Sequence, residues 1–193
     1  MTEALTRREQ LKADRREQLI KAGARLIAER GFLGVRLEDL GAAAGISGPA
    51  VYRHFPNKEA LLVELLVGIS QRLHEGGSAV ATHADSAEDA LLGLIEFHLD
   101  FALGEPDLIR IQDRDLENLP AQARRQVRRA QRQYVEVWVQ VLQQTDPALS
   151  ESDARIKAHA TFGLINSTPH SANPTSPAQT RTILRRMAIA ALT

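Results

Sequence analysis

Residues 37–58, LEDLGAAAGISGPAVYRHFPNK, decide the fold. Leu37, Leu40, Ala43 and Ala44 recur at three- and four-residue steps, which gives a short helix one apolar face. Gly45 follows as its stop, because only glycine enters the left-handed region cheaply. Ser47 stands where a second short helix needs its cap, and Pro49 falls in that helix's first turn, where a missing N–H is harmless. Val51 and Phe55 then point one way, while Gly48, Pro49, Tyr52 and Arg53 point the other. Two short helices, a tight turn and an exposed face that opens on small residues predict a helix-turn-helix whose second helix reads DNA.

The ordered series Gly31-Phe32, Gly45-Ile46-Ser47, Tyr52-Arg53-His54-Phe55 and Asn57-Lys58-Glu59-Ala60-Leu61 resembles the TetR family of transcriptional regulators, over Ala24 to Leu66. Val35 and Arg36 stand where many members carry Thr or Ser, so Arg36 is read as a direct charge on phosphate in place of a hydroxyl cap. The same stretch is similar to actinobacterial members that govern lipid or branched-chain acyl-CoA breakdown. The resemblance implies an all-α chain with an N-terminal three-helix DNA-binding head and a C-terminal helical body for ligand binding and dimerisation. It also implies that Tyr52, His54 and Lys58 touch the DNA backbone. His54 has a second reading, as a group that satisfies the turn before Phe55.

Composition fits one small head on a larger body: 193 residues, 44% hydrophobic, can bury a substantial core. Charge is divided unevenly. Through Lys58 there are eleven Lys and Arg against seven Asp and Glu, and in the remainder thirteen against seventeen. A basic head on an acidic body suits a duplex-binding module with a non-DNA partner domain. There is no cysteine, so thiolate chemistry and disulfides are excluded, as a reducing cytoplasm permits. The N-terminus is charged and lacks an apolar core, and no apolar run approaches the roughly 20 residues of a membrane span, so a soluble cytoplasmic chain is expected.

In chain order, residues 1 to about 14 read as a basic arm and Arg15 to Glu29 as the head's first helix, with Leu19, Ile20, Gly23, Leu26 and Ile27 inward. The head is 1–57 and the body 58–193. Asn57 caps a helix that couples the two through Leu61, Leu62, Leu65, Leu66, Ile69 and Leu73, and Gly76-Gly77-Ser78 through Asp85 is expected to be a loop. Helices follow over Ser86 to about Gly104, Asp107 to Leu119, and after Pro120 to about Gln144. A helix to about Asn166 has almost no polar face and should be buried on several sides. After a loop over Ser167 to Ser176, a last helix spans Pro177 to Leu192. These last two predict a homodimer interface, as the resemblance also implies.

The candidate DNA contacts are Arg36, Ser47, Gly48, Pro49, Ala50, Tyr52, Arg53, His54, Asn57 and Lys58. Gly48, Pro49 and Ala50 permit close approach to a thymine methyl, Arg53 fits guanine or phosphate, and Asn57 and Lys58 sit at a helix N-terminus that favours phosphate. The partner is then a double-stranded, near-palindromic operator. A small-molecule effector is expected in the body, as the resemblance implies. Its candidate polar contacts are His98, Arg110, Gln112, Asp113, Tyr134, Trp138, Asn166 and His170, each on or beside an apolar stripe. Arg124, Arg125, Arg128, Arg129 and Arg132 cluster on one helix, as a phosphate site or as a solvated face pairing with Asp115 or Glu117. No nucleophile elbow, metal motif or phosphate loop is present, so neither catalysis nor a cofactor or metal is expected. The rival reading is an architectural or partner-recruiting DNA-binding protein without an effector, which would have a filled body.

Overall fold

The computed structural model describes residues 6–170 and 176–192, whose regular structure is entirely helical. The α-helices are α1 (Arg7–Arg30), α2 (Leu37–Ala44), α3 (Gly48–Val51), α4 (Lys58–His83), α5 (Ala87–Gly104), α6 (Pro106–Asp115), α7 (Ala121–Thr145), α8 (Glu151–Ile165) and α9 (Pro177–Leu192). Short 3₁₀ turns cover Leu116–Asn118 and Thr168–His170. The all-α expectation therefore holds for the described residues. Residues 1–5 of the expected arm and 171–175 of the expected last loop lie outside them.

Helix α1 begins earlier than its apolar stripe suggests. Thr6 caps it, with its hydroxyl accepting from the Glu9 N–H and the Glu9 carboxylate accepting the Thr6 N–H at 2.8 Å. This reciprocal capping box makes most of the expected arm helical. Leu19, Ile27, Phe32, Leu40, Val51, Phe55, Leu61 and Leu62 close the head's core.

The expected loop after Leu73 is helix instead, since α4 runs unbroken to His83. The two glycines there serve packing. A Cβ on Gly76 would collide with the Phe97 ring of α5, and one on Gly77 with the Tyr134 ring of α7. Each glycine costs about 1 kcal/mol of helix propensity relative to Ala, offset here by the aromatic ring that its bare backbone admits. Beyond its first turns, which close the head, α4 consequently lies along α5 and α7, with Leu66 and Ile69 buried. The α6 segment also departs slightly, ending at Asp115 and tightening into the 3₁₀ turn before Pro120.

Helix α8 is not buried on several sides within one chain. Ala154, Ala158, Thr161 and Ile165 bury a single face, and Ile156 is 66% exposed. On α9, Leu184, Ala188 and Leu192 are buried while Ile183 and Met187 stand 50% and 48% exposed. Both helices thus carry an apolar face with no cover from their own chain.

Candidate DNA-reading face and effector cavity

Gly45 ends α2 in the left-handed conformation, at φ 65°, and the Ile46 N–H returns to the Gly41 carbonyl at 2.8 Å. Gly41 is the second requirement of this turn. A Cβ there would lie 2.7 Å from the Ile46 oxygen and 3.1 Å from Val51, so α2 and α3 cross closely only because position 41 is bare. After Val51 the backbone continues in helical turns, with Phe55 N–H bonded to Val51 O at 3.0 Å. Phe55 and Val51 are buried, which turns Pro49, Tyr52 and Arg53 outward.

The ten nominated DNA contacts divide by environment. Arg36, Ser47, Pro49, Tyr52, Arg53 and Asn57 are exposed; Gly48, Ala50, His54 and Lys58 are half-buried. Ser47 occupies the cap position of α3, but its hydroxyl makes no cap bond, contrary to expectation. At the start of α2 the cap bond comes from within, as the Asp39 carboxylate accepts the Arg36 N–H at 2.9 Å. Tyr52 donates its hydroxyl to Glu38 at 2.7 Å, which holds that carboxyl below the usual range and pushes the phenol up. Asn57 caps α4 by accepting the Ala60 N–H at 2.8 Å. The Lys58 ammonium bonds to the carbonyls of Phe32 and Val35, at 3.1 and 3.3 Å, over the Phe32 ring. It braces the link between α1 and α2. Burial and the neighbouring Arg16, Lys12 and Arg15 charges lower the His54 pKa, and its carbonyl accepts from Arg16. Arg16 also covers the Phe55 ring and pairs with Glu64 of α4, a staple that net-charge counting could not reveal.

In the body, a cavity of about 240 Å³ lies among α4 to α8. Its apolar wall includes Leu73, Phe101, Ile109 and Phe162; His98, Tyr134, Asn166, Gln112, Gln131 and Ser70 supply polar atoms. His159, exposed on α8, stands at its rim. Larger hollows along α8 and between α1, α4 and α6 lie on the outer surface and lack this convergence of buried polar groups.

Four of the eight nominated ligand contacts line the cavity: His98, Gln112, Tyr134 and Asn166. Trp138 does not. It is fully buried in edge-on contact with His98, Tyr134 and Phe162, and its indole N–H points near the Tyr134 oxygen without reaching full hydrogen-bond geometry. Arg110, Asp113 and His170 lie elsewhere, where they join α6 to the turn after α8. Arg110 donates to the Pro169 carbonyl at 2.7 Å, and His170 meets Asp113 at 3.3 Å. The arginine run of α7 takes the solvated-face reading in part, with Arg124 and Arg128 both on Glu117 at 2.5 and 2.8 Å.

His98 is 3% exposed and bonded at both ring nitrogens. The Asn166 Oδ1, 3.1 Å from Nε2, can only accept, so Nε2 carries the proton; Nδ1 then accepts the Tyr134 hydroxyl at 3.2 Å. Burial pushes the imidazole pKa down to about 4, against a smaller upward pull from Asn166, so the ring is neutral at physiological pH. Burial likewise pushes the Tyr134 phenol up. Between the ordinary histidine value and 4 the unfolded chain binds the extra proton, so stability is full above pH 6.5 and falls as pH drops. Unfolding free energy should decrease by about 2 kcal/mol from pH 7 to pH 5, a window above most carboxylate titrations. Urea titrations of the natural chain and of His98→Gln test this, and an equal slope in both excludes His98 as its source.

A model of the bacterial regulatory proteins of the tetR family matches residues 19–65, and one of the tetracyclin repressor-like C-terminal domain matches residues 84–191. The chain belongs to the TetR family. It is a helix-turn-helix DNA-binding transcriptional regulator, and regulators of this family are not enzymes. The transcriptional repressor NicS of Pseudomonas putida is 27% identical over 100 residues, and the match spans 51% of this chain and about half, 47%, of NicS. The ketosteroid transcriptional regulator KstR2 of Mycobacterium tuberculosis superposes with a TM-score of 0.78 at 22% identity, over 92% of this chain and 93% of that one. AibR, solved with isovaleryl coenzyme A and operator DNA, superposes with a TM-score of 0.73 at 18% identity, over 90% and 97%. Among the described residues, this TetR-family chain has no helix long and apolar enough to cross a membrane and no cluster of three metal-ligating side chains.

Proposed function

We propose that this TetR-family chain is an effector-responsive repressor of the cytoplasm, with residues 1–57 as DNA-reading head and 58–193 as sensing and dimerising body. The observation that carries this reading is the double engagement of α6. Its Ile109 and Gln112 line the cavity, and less than one turn further on Arg114 and Asp115 grip the head. The Arg114 guanidinium donates to the carbonyls of Ile27 and Ala28 at the end of α1, and the buried Asp115 carboxylate accepts the Phe32 N–H at 3.2 Å. An occupant that moves α6 therefore moves α1 and the loop ahead of α2. A filled body, as an architectural protein would have, offers no such lever.

The DNA contacts are the ten residues named above, with Arg53 on a base edge and the Tyr52 hydroxyl transferring from Glu38 to a phosphate. Dimerisation through α8 and α9 places two α3 segments on a near-palindromic operator, with half-sites about 34–36 Å apart or a multiple of one turn. The effector is small and apolar or acyl-CoA-like; AibR, with its isovaleryl coenzyme A, supports the second chemistry by fold alone. Recovery of bound genomic fragments at fixed salt, followed by footprinting, tests the function. One strong palindrome is expected; uniform salt-sensitive binding without a preferred site would overturn it. Arg53→Ala should cost about 1–3 kcal/mol on that palindrome and much less on random duplex. Equal losses on both would make Arg53 a phosphate contact.

A further inference from the structure

Three features of the cavity constrain its occupant. At about 240 Å³ it falls below the roughly 300–1,000 Å³ of drug-sized sites, so a nucleotide-bearing ligand would have to lie mostly outside it. No Asp, Glu, Lys or Arg is among the described residues lining it. Three arginines of the flanking helices are engaged elsewhere: Arg124 and Arg128 on Glu117, and Arg110 on Asp107 and the Pro169 carbonyl. A carboxylate or phosphate would shed its hydration inside it with no fixed cation to meet it, only the imidazole of His159 at the rim.

The third feature is the pattern of hydrogen bonds left over. The only Tyr134 hydroxyl proton goes to His98, the only His98 ring proton goes to Asn166, and Ser70 spends its proton on the Leu66 carbonyl at 2.7 Å. Beside the Trp138 indole N–H one lone pair on the Tyr134 oxygen remains as an acceptor, with those on Ser70, and the carboxamide N–H groups of Asn166, Gln112 and Gln131 remain as donors. Beside them Tyr134 and Phe162 lie nearly parallel, 5.5 Å apart, with His98 4.9 Å from Phe162. Flat apolar walls with one polar edge, able to give and to receive a hydrogen bond, match a ring that carries one neutral oxygen.

We infer that the cavity binds a compact, uncharged ring compound bearing a hydroxyl or carbonyl oxygen, in preference to a carboxylate or an acyl-CoA. This rests on the regulator reading and narrows its effector.

The test is thermal unfolding of the full chain without DNA, in the presence of 4-methylphenol, cyclohexanol, toluene, benzoate or isovaleryl coenzyme A. The two neutral ring alcohols should raise the midpoint by about 3–6 °C at ten times their Kd, and benzoate and the thioester should not. Tyr134→Phe keeps the ring seated against Gly77 and deletes the hydroxyl. It should weaken 4-methylphenol about tenfold and leave toluene unchanged, whereas a purely structural role for Tyr134 would weaken both. The inference is overturned by a shift with benzoate or the thioester that equals that of the alcohols, by no shift with either alcohol, or by unchanged 4-methylphenol binding in Tyr134→Phe. Operator binding is scored separately. Release by a charged compound would remove this inference and leave the effector-responsive repressor standing, while a protein with no preferred DNA site would remove the repressor reading whatever the cavity binds.

Discussion

Asp115→Ala should destabilise the chain by about 2–3 kcal/mol, chiefly the cost of leaving the buried Phe32 N–H without its acceptor. The carboxylate is buried and serves three donors, Phe32, Arg114 and Asn118, of which the buried Phe32 N–H has no other acceptor in place. It accepts the Phe32 N–H at 3.2 Å and the Arg114 guanidinium at 3.0 and 3.1 Å. Without it the Phe32 amide is left bare beside the head's core, and Arg114 loses the group that aims it at the last carbonyls of α1. Those carbonyls form the negative end of a 24-residue helix, where a fixed cation is most favourable. Arg114 is about half-exposed, so Arg114→Ala should cost less, about 1–2 kcal/mol, and leave a folded chain in which the grip alone is missing. Hydrogen exchange separates the two effects. In Arg114→Ala the amides of residues 31–35 should exchange faster while those of α7 stay protected, and operator affinity should lose its response to any bound effector. A melting midpoint for Asp115→Ala within a degree or two of the parent would remove the ion pair from the account of how body and head communicate.

Much of the head was legible because its signals are local. Gly45, Pro49, Val51 and Phe55 each answer a requirement met within a few residues, and the helix-turn-helix followed from them. Asp115 gives no local sign of its contact to the head, because its partner Phe32 lies 83 residues away and periodicity marks it only as a polar residue in a polar helix. The two glycines at 76 and 77 are illegible for the same kind of reason. Sequence alone assigns a glycine pair to a loop, and only the rings of Phe97 and Tyr134, brought in by other helices, explain them inside α4. Gly41 differs from helical Gly68 and Gly163, which meet nothing within 4 Å, only through the turn that folds Ile46 and Val51 back onto it.

The cavity was half legible. His98, Tyr134 and Asn166 interrupt apolar stripes and converge because a polar group on an inward face must find partners there. Arg110, Asp113 and His170 interrupt stripes too, yet sit where α6 meets the turn after α8, and nothing in their spacing separates the two cases. Phe162 and Ile109 read as core and could not be told from cavity wall, because that distinction depends on the space left unfilled around them.

Ile156→Arg should convert the proposed dimer to a monomer and lower operator affinity by about 10²–10⁴-fold, the loss expected when two linked half-site contacts become independent. Within one chain Ile156 is 66% exposed and Ile183 and Met187 about half, an apolar surface on two adjoining helices that a lone subunit leaves in water. Gly163, two turns beyond Ile156, adds a separate reason. A Cβ there meets nothing within 4 Å, so its own chain does not require a glycine, although glycine costs about 1 kcal/mol of helix propensity relative to Ala. In the proposed dimer, close passage of another α8 across this face would account for that cost. In a two-fold interface the substituted position occurs twice, so a single arginine introduces two charges into the same apolar contact. Since Ile156 packs little within its own chain, the monomer should keep its helical signal and its weak salt-dependent binding to random duplex. Sedimentation at micromolar concentration should give the single-chain mass, and Gly163→Leu should act in the same direction by blocking the approach. A variant that sediments as a dimer and protects the full operator would move the interface away from α8.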